Sequence, residues 1–176
     1  MLTRIIKFLV IISIINVSCV GMKHQASNKS QSVNYETFYI NDSTMQYFIK
    51  PLMFKAENKD KTEVDFTFRS SAGDVNQVTM NFSIISNTKQ PKTEFILLKG
   101  DTLHKVTVDK KLYQELKDNK CVYRYSSTLP YADLNDFLTS DTYVLEVNKE
   151  KLFPTKATQK KVEDIILKLF EFELQQ

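Results

Sequence analysis

Apolar and polar side chains alternate along two stretches of this chain, and that alternation limits the fold more than any other feature of the sequence. Residues 64–68 read Val-Asp-Phe-Thr-Phe, and residues 78–84 read Val-Thr-Met-Asn-Phe-Ser-Ile. Successive side chains of a β-strand point to opposite faces, so a period of two predicts strands with one buried and one exposed face.

Polar connections separate these two strands from further candidates rich in β-branched and aromatic residues. The connections carry Asn, Asp, Ser, Gly or Pro, which are typical of turns, and their short length implies antiparallel pairing. Pro51 has no backbone N–H and therefore predicts an edge strand or a bulged strand around it. The further predicted strands are residues 45–55, 93–98, 103–108, 120–126 and 142–147.

Helical periodicity replaces this alternation in three segments. Residues 110–117, which follow an aspartate, and residues 130–138, which begin with a proline, are short predicted helices. The C-terminal segment has the strongest pattern, with five large apolar residues at helical spacing behind Thr155 or Thr158 as the N-cap. These apolar residues are Val162, Ile165, Ile166, Leu169 and Phe170.

The sequence therefore predicts an α+β fold, in which an antiparallel β-sheet or sandwich has a C-terminal amphipathic helix packed on it. No internal repeat at a fixed period is present, so residues 35–176 are predicted to form a single globular, β-rich domain. A segment of this length is sufficient to bury a hydrophobic core.

The first 18 residues have the layout of a secretory signal peptide. Arg4 and Lys7 form a positive region, residues 8–15 form a short apolar region, and small or neutral residues follow up to Cys19. A membrane-spanning helix needs about 20 apolar residues, so this run is too short to cross a bilayer. We expect residues 1–18 to be removed on export.

The end of this segment resembles the lipobox of bacterial lipoproteins of the Bacteroidota type. The matching residues are Asn16-Val17-Ser18-Cys19, and they depart from the usual pattern at Asn16, where leucine is common. The resemblance covers residues 1–19 and implies that Cys19 carries acyl chains such as palmitate, which hold the protein on a membrane. The alternative is cleavage after Gly21 by an ordinary signal peptidase, which would give a soluble secreted protein.

Residues 19–34 are predicted to be the lipidated cysteine and a flexible tether, because small and polar residues dominate there. Lipoproteins of this type that reach the cell surface often carry acidic residues after the cysteine, and residues 20–23 have none. The resemblance therefore implies a lipid-anchored protein of the cell envelope, at the outer membrane and facing the periplasm.

Charge and cysteine content limit the partners. Without Arg4 and Lys7 the chain has 22 basic and 21 acidic residues, which does not favour nucleic acid. If Cys19 carries lipid, Cys121 is left alone and the domain can form no internal disulfide. We expect contact with the membrane through the lipid on Cys19 and with an envelope protein, and no contact with nucleic acid.

The residues that most often carry chemistry form no recognised motif. His24 lies in the tether and His104 in a strand, which disfavours a shared zinc ion, and Cys121 with His104 is a weak candidate for a nucleophile and its base. Three glycines are too few for a P-loop or a dinucleotide fingerprint. Asp133 and Asp136 indicate a solvated helix face more than a hydrolase pair. The sequence predicts no catalytic residue, no metal and no cofactor.

Tyr123, Arg124 and Tyr125 form the candidate binding surface. On a strand the two tyrosines share one face, and core packing is the commoner use of such a stripe. The preferred function is a non-enzymatic, lipid-anchored module that binds an envelope component through a sheet edge or a free face. The alternative is an envelope hydrolase with an unrecognised active site, which would use a carboxylate or Cys121.

Acylation of Cys19 is the first testable consequence of this sequence. The intact mass of the protein extracted from membranes should show Cys19 as the first residue, with a diacylglyceryl group on its sulfur. The Cys19→Ala variant should lose both the added mass and the membrane association. A soluble wild-type product that begins at Met22 would contradict the lipoprotein assignment.

Overall fold

Antiparallel β-strands make up most of the residues that the structure describes. The computed structural model describes residues 34–58, 60–71, 74–89 and 92–173, so the predicted signal peptide, Cys19 and residues 20–33 of the predicted tether lie outside the described residues. The elements found there are β1 Tyr35–Asn41, β2 Thr44–Lys55, β3 Lys61–Ser71, β4 Gln77–Ser86, β5 Phe95–Lys99, β6 Leu103–Thr107, β7 Lys110–Lys117, β8 Lys120–Pro130, α1 Tyr131–Thr139, β9 Val144–Val147, β10 Glu150–Pro154, α2 Lys156–Ile165 and a π-helical segment, Ile166–Glu173.

These strands form one sheet in the order β6, β5, β9, β10, β2, β3, β4, β8, β7, with β1 paired to β2 beside this path. β6 and β7 lie at opposite ends of the order, yet only Val108 and Asp109 separate them in the chain. Because so short a connection spans at most about 11 Å, the two ends meet at this corner and the sheet curls into a half-barrel. The Val108 N–H donates to Glu94 O next to β5, and the Asp109 N–H donates to Ser126 O in β8.

The inner face of the curled sheet holds the hydrophobic core. Phe66 of β3 and Phe82 of β4 are fully buried there, as the alternation predicts. α1 lies against the same face, with the ring centroids of Phe137 and Phe54 of β2 6.2 Å apart. The predicted helix at residues 130–138 and the predicted antiparallel sheet are confirmed, and a single curled sheet is formed instead of a sandwich.

Pro51 marks the point where β2 changes neighbours. The pairing of β2 with β3 shifts between Ile49 and Leu52, and this bulge lets both side chains point into the core. On its other side β2 pairs with β1 before the bulge and with β10 after it. The bulge predicted from Pro51 is confirmed, and the strand lies inside the sheet and not at its edge.

Residues from the start of α2 donate to the backbone of β2 next to this bulge. The Thr158 hydroxyl donates to the Met53 carbonyl at 2.8 Å and accepts from the Met53 N–H at 2.9 Å. Lys161 Nζ donates to the Pro51 carbonyl at 3.2 Å, and the Thr155 N–H donates to Met53 O at 3.1 Å. Backbone polar groups that lie between the β1 and β10 ladders are thus satisfied.

One predicted helix is wrong. Residues 110–117 form strand β7, and every residue of this strand is exposed. A strand with two exposed faces has no apolar alternation, so the helix-forming residues Lys, Leu, Gln and Glu give a misleading local pattern. The signal that identifies the strand is the two-residue turn after it, where Asp118 and Asn119 both have positive φ, as a tight hairpin requires.

The sequence predictions also leave out β1 and β10, and they differ from the structure at the C-terminus. β10 follows a second two-residue hairpin turn, in which Asn148 and Lys149 have positive φ. The C-terminal helix is α-helical to Ile165 and π-helical from Ile166, which a period of 3.6 residues does not predict. Among the described residues, none of the helices is both long and apolar enough to span a membrane.

Candidate functional site

An ion pair lies on the outer face of the sheet, where the candidate residue Arg124 projects. Arg124 Nη2 lies 2.6 Å from Asp65 Oδ2, and Arg124 Nη1 donates to the Ser83 hydroxyl at 2.9 Å. The Asn81 side-chain amide donates to the other oxygen of Asp65 at 3.0 Å. The strand register brings these groups together, because Asp65 lies opposite Asn81 and Ser83 lies opposite Arg124.

The burial of Asp65 is unusual for a residue on the outer face. Asp65 is only 2% exposed, whereas a quarter of the Arg124 side chain remains exposed. A buried carboxylate is stable only with charge-assisted hydrogen bonds, which Arg124 and Asn81 provide. The carboxylate therefore holds the guanidinium in one position while part of it stays open to solvent.

Arg124 lines a groove of about 340 Å³ on this outer face, which we call the outer groove. The groove crosses β2, β3, β4, β8 and the outward side of β7. Its apolar residues are Met53, Ile85, Tyr113 and Val122, and its other charged residues are Lys61, Glu63, Glu115, Lys117, Asp118 and Lys120. Charges of both signs beside apolar side chains suit a protein segment better than a small ion of one charge.

The two tyrosines of the candidate surface lie on the opposite face of β8, in the core. Tyr123 is 3% exposed and Tyr125 is 2% exposed. The Tyr125 ring stacks on Phe82 with a centroid distance of 5.2 Å, and it also lines a cavity of about 630 Å³ next to Val108. Neighbouring residues of a strand point to opposite faces, so Arg124 and the two rings do not share one surface. Of the three residues of the predicted binding surface, Arg124 is therefore the one that lines the outer groove.

A second polar cluster joins the β5–β6 hairpin to α1. His104 Nε2 lies 2.7 Å from Asp136 Oδ2 and 2.7 Å from the Thr102 hydroxyl, which donates to the same carboxylate oxygen at 2.8 Å. His104 Nδ1 lies 3.4 Å from Asp133 Oδ1. A Cβ atom on Gly100 would lie 2.9 Å from the backbone oxygen of Asp136, so glycine is required for this close approach.

The geometry of this cluster does not match nucleophilic catalysis. A histidine base needs one ring nitrogen on an orienting carboxylate and the other nitrogen on the nucleophile. In this cluster Nε2 of His104 faces the Thr102 hydroxyl, but that hydroxyl donates its hydrogen to Asp136 Oδ2, which Nε2 also faces. The hydroxyl proton is therefore directed at Asp136 and not at the histidine, although Nδ1 faces a second carboxylate at Asp133. The arrangement is suited to holding the hairpin on the helix.

The other predicted chemical groups are placed apart from this cluster. Cys121, the candidate nucleophile, lies in β8 with Ser86 and Leu116 as its cross-strand neighbours. In the part of the chain that the structure describes, no group of three or more His, Cys, Asp or Glu side chains could hold a metal ion. The sequence signal that could have found the His104 cluster was the pair Asp133 and Asp136, spaced for one helix face.

No protein-family model, no curated protein and no solved structure matches this chain. Its function is therefore inferred from the chemistry of the surfaces described above.

The pH dependence of stability should report the contacts of Asp136. Hydrogen bonds from His104 and Thr102 lower the pKa of this carboxyl below its ordinary value of 3.8. The ionised group therefore stabilises the folded state above that value, and the effect is lost as the pH falls through the lowered pKa. The Asp136→Asn variant should therefore have a lower free energy of unfolding than the wild type, as measured by urea denaturation. This difference should be largest near pH 5 and should decrease below about pH 4.

The control for this experiment is Asp42→Asn, which removes one negative charge at an exposed turn position. We expect no comparable loss of stability for this variant. If Asp136→Asn were as stable as wild type near pH 5, the cluster would not hold the hairpin on α1.

Proposed function

We propose that this protein is a lipid-anchored component of the cell envelope whose domain binds another envelope component and is not an enzyme. Cys19 supplies the anchor, and the signal peptide supplies the route of export. In this proposal the protein is held at the outer membrane and faces the periplasm. The segment after Cys19 acts as a tether that separates the domain from the lipid headgroups.

The outer groove is the main structural support for a binding role. Asp65 holds the Arg124 guanidinium in place, so this arginine can bind a partner with little further loss of conformational entropy. Arginine and tyrosine side chains are enriched in protein interfaces, and Tyr113 is the exposed aromatic residue of the groove. Apolar side chains with charged side chains beside them, as in this groove, are usual in a protein–protein contact surface.

The polar cluster at His104 supports a binding role over hydrolysis. Both ring nitrogens of His104 face carboxylates: Nε2 lies 2.7 Å from Asp136 and Nδ1 lies 3.4 Å from Asp133. The ring of His104 therefore contributes to the attachment of the β5–β6 hairpin, and the hydroxyl beside it, that of Thr102, donates to Asp136 instead of to the histidine.

We also infer that α2 and the π-helical segment are packed on the sheet as part of the core. Val162 and Ile165 are 2% and 0% exposed, and Leu169 is fully buried. The ring of Phe170 lies edge-on to Tyr131 of α1, with a centroid distance of 5.9 Å. A C-terminal helix in this position stays with the domain and leaves the outer groove open for a partner.

A pair of aspartate substitutions tests the helix. Ile165→Asp should lower the free energy of unfolding by at least about 3 kcal/mol, because the new carboxylate would be buried without a partner. Leu167→Asp is the matched control, since Leu167 is 51% exposed and the same substitution there should be nearly neutral. Urea denaturation measures both values. Equal stability of the two variants would place the helix outside the core.

Crosslinking in intact cells tests the binding role. A photo-reactive residue in place of Lys120, in the outer groove, should join the anchored protein to one discrete partner in a saturable way. The control position is Lys156, which is exposed at the start of α2. The adduct should disappear with Cys19→Ala, because that variant leaves the membrane. Equal yields at the two positions, or none at either, would contradict a binding role for the groove.

A further inference from the structure

β7 is exposed along its whole length. Every one of its residues is exposed, which is true of no other described strand. Leu112, Tyr113 and Leu116 are 42%, 44% and 72% exposed. Covering these three large apolar side chains with a partner would be favourable, because it removes their apolar surface from water. This strand therefore has the composition of a contact surface.

β7 also presents a free edge. Among the described strands it pairs with β8 alone and ends the strand order. The register shifts between Lys111 and Tyr113, so a bulge at Leu112 interrupts the edge and leaves regular pairing to residues 113–117. Along that stretch, the N–H and C=O groups that do not face β8 can pair with an added strand.

The charge of this edge selects the kind of strand that can be added. β7 carries an excess of two positive charges, from Lys110, Lys111 and Lys117 against Glu115, and in the hairpin that follows Asp118 is offset by Lys120, the first residue of β8. Two copies of the edge would repel each other, as edge lysines commonly ensure, whereas an acidic strand would be attracted. Complementary charge therefore favours an acidic partner over a second copy of this chain.

We propose that residues 113–117 of β7 are the docking site for an extended, acidic segment of a partner protein, which is added to the sheet as a further strand. Main-chain hydrogen bonds would hold the segment, and its apolar side chains would pack on Tyr113 on the side of the outer groove and on Leu116 on the other side. Its carboxylates would face Lys117 and, where the segment continues past the bulge, Lys110 and Lys111, which supply the excess positive charge of the strand. This inference rests on the proposed binding function and names the class of partner.

A synthetic peptide of about eight residues, with glutamate and valine in alternation, is the probe for this site. Fluorescence anisotropy with the full-length processed protein in detergent should show saturable binding that weakens with added salt. The peptide with lysine in place of glutamate should bind roughly tenfold more weakly. The acidic peptide with methyl groups on alternate backbone nitrogens, facing β7, should lose binding, because it keeps every side chain but lacks those N–H donors.

Two charge-reversal substitutions test whether the peptide binds at β7. Lys117→Glu should weaken binding of the acidic peptide roughly tenfold, and Lys156→Glu, at an exposed position of α2, should leave it unchanged. Both variants should keep the wild-type urea midpoint, since both side chains are exposed.

The outcomes separate this inference from the proposed function. Equal binding of the acidic and lysine peptides, equal binding of the N-methylated peptide, or the absence of saturable binding would each overturn strand addition at β7. Self-association of the protein that Lys117→Glu abolishes would assign the edge to a second copy instead. A crosslink from position 120 that persists after any of these results would leave the outer groove as the binding surface, and loss of Cys19 acylation would remove only the anchor.

Discussion

The connection from β6 to β7 is the constraint on which the rest of the structure depends. Val108 and Asp109 join strands that lie at opposite ends of the sheet order, so the sheet has to curl until its ends meet at this corner. The curl creates a concave face, where α1 packs and the apolar side chains are buried. Beyond the corner β7 has only β8 beside it among the described strands, which leaves its other edge free.

A second constraint is local and concerns Pro51. One side of β2 pairs with β1 along the first half of β2 and with β10 near the end of β2. The bulge at the proline separates these two pairings. The bulge also shifts the strand by one residue, so that Ile49 and Leu52 both enter the core. The Thr158 hydroxyl then accepts the hydrogen bond from the Met53 N–H, and the Met53 carbonyl accepts from both Thr158 and the Thr155 N–H. A residue without an N–H is tolerated inside the sheet because a helix side chain satisfies the neighbouring backbone.

β8 connects stability with the proposed function. Its inward residues Tyr123 and Tyr125 pack in the core, while Arg124 between them reaches the opposite face and meets Asp65. The tyrosines thus fix the strand in place, and the strand in turn fixes the arginine. The outer groove and the β7 edge lie side by side on this face, since Tyr113 belongs to both, so a partner strand on β7 could extend its side chains into the groove.

The sequence by itself determined the features that depend on neighbours in the chain. These are the alternating strands at residues 64–68 and 78–84, the bulge at Pro51, and α1. The export and lipidation of the N-terminus, which we propose from a pattern that is also local, lie outside the described residues. Only the tertiary structure decided that residues 110–117 are a strand, because pairing with β8 outweighs the small differences in helix propensity. It also decided the contact between Arg124 and Asp65, which are 59 residues apart. Such a contact depends on strand order and register, and no local pattern of side chains encodes either.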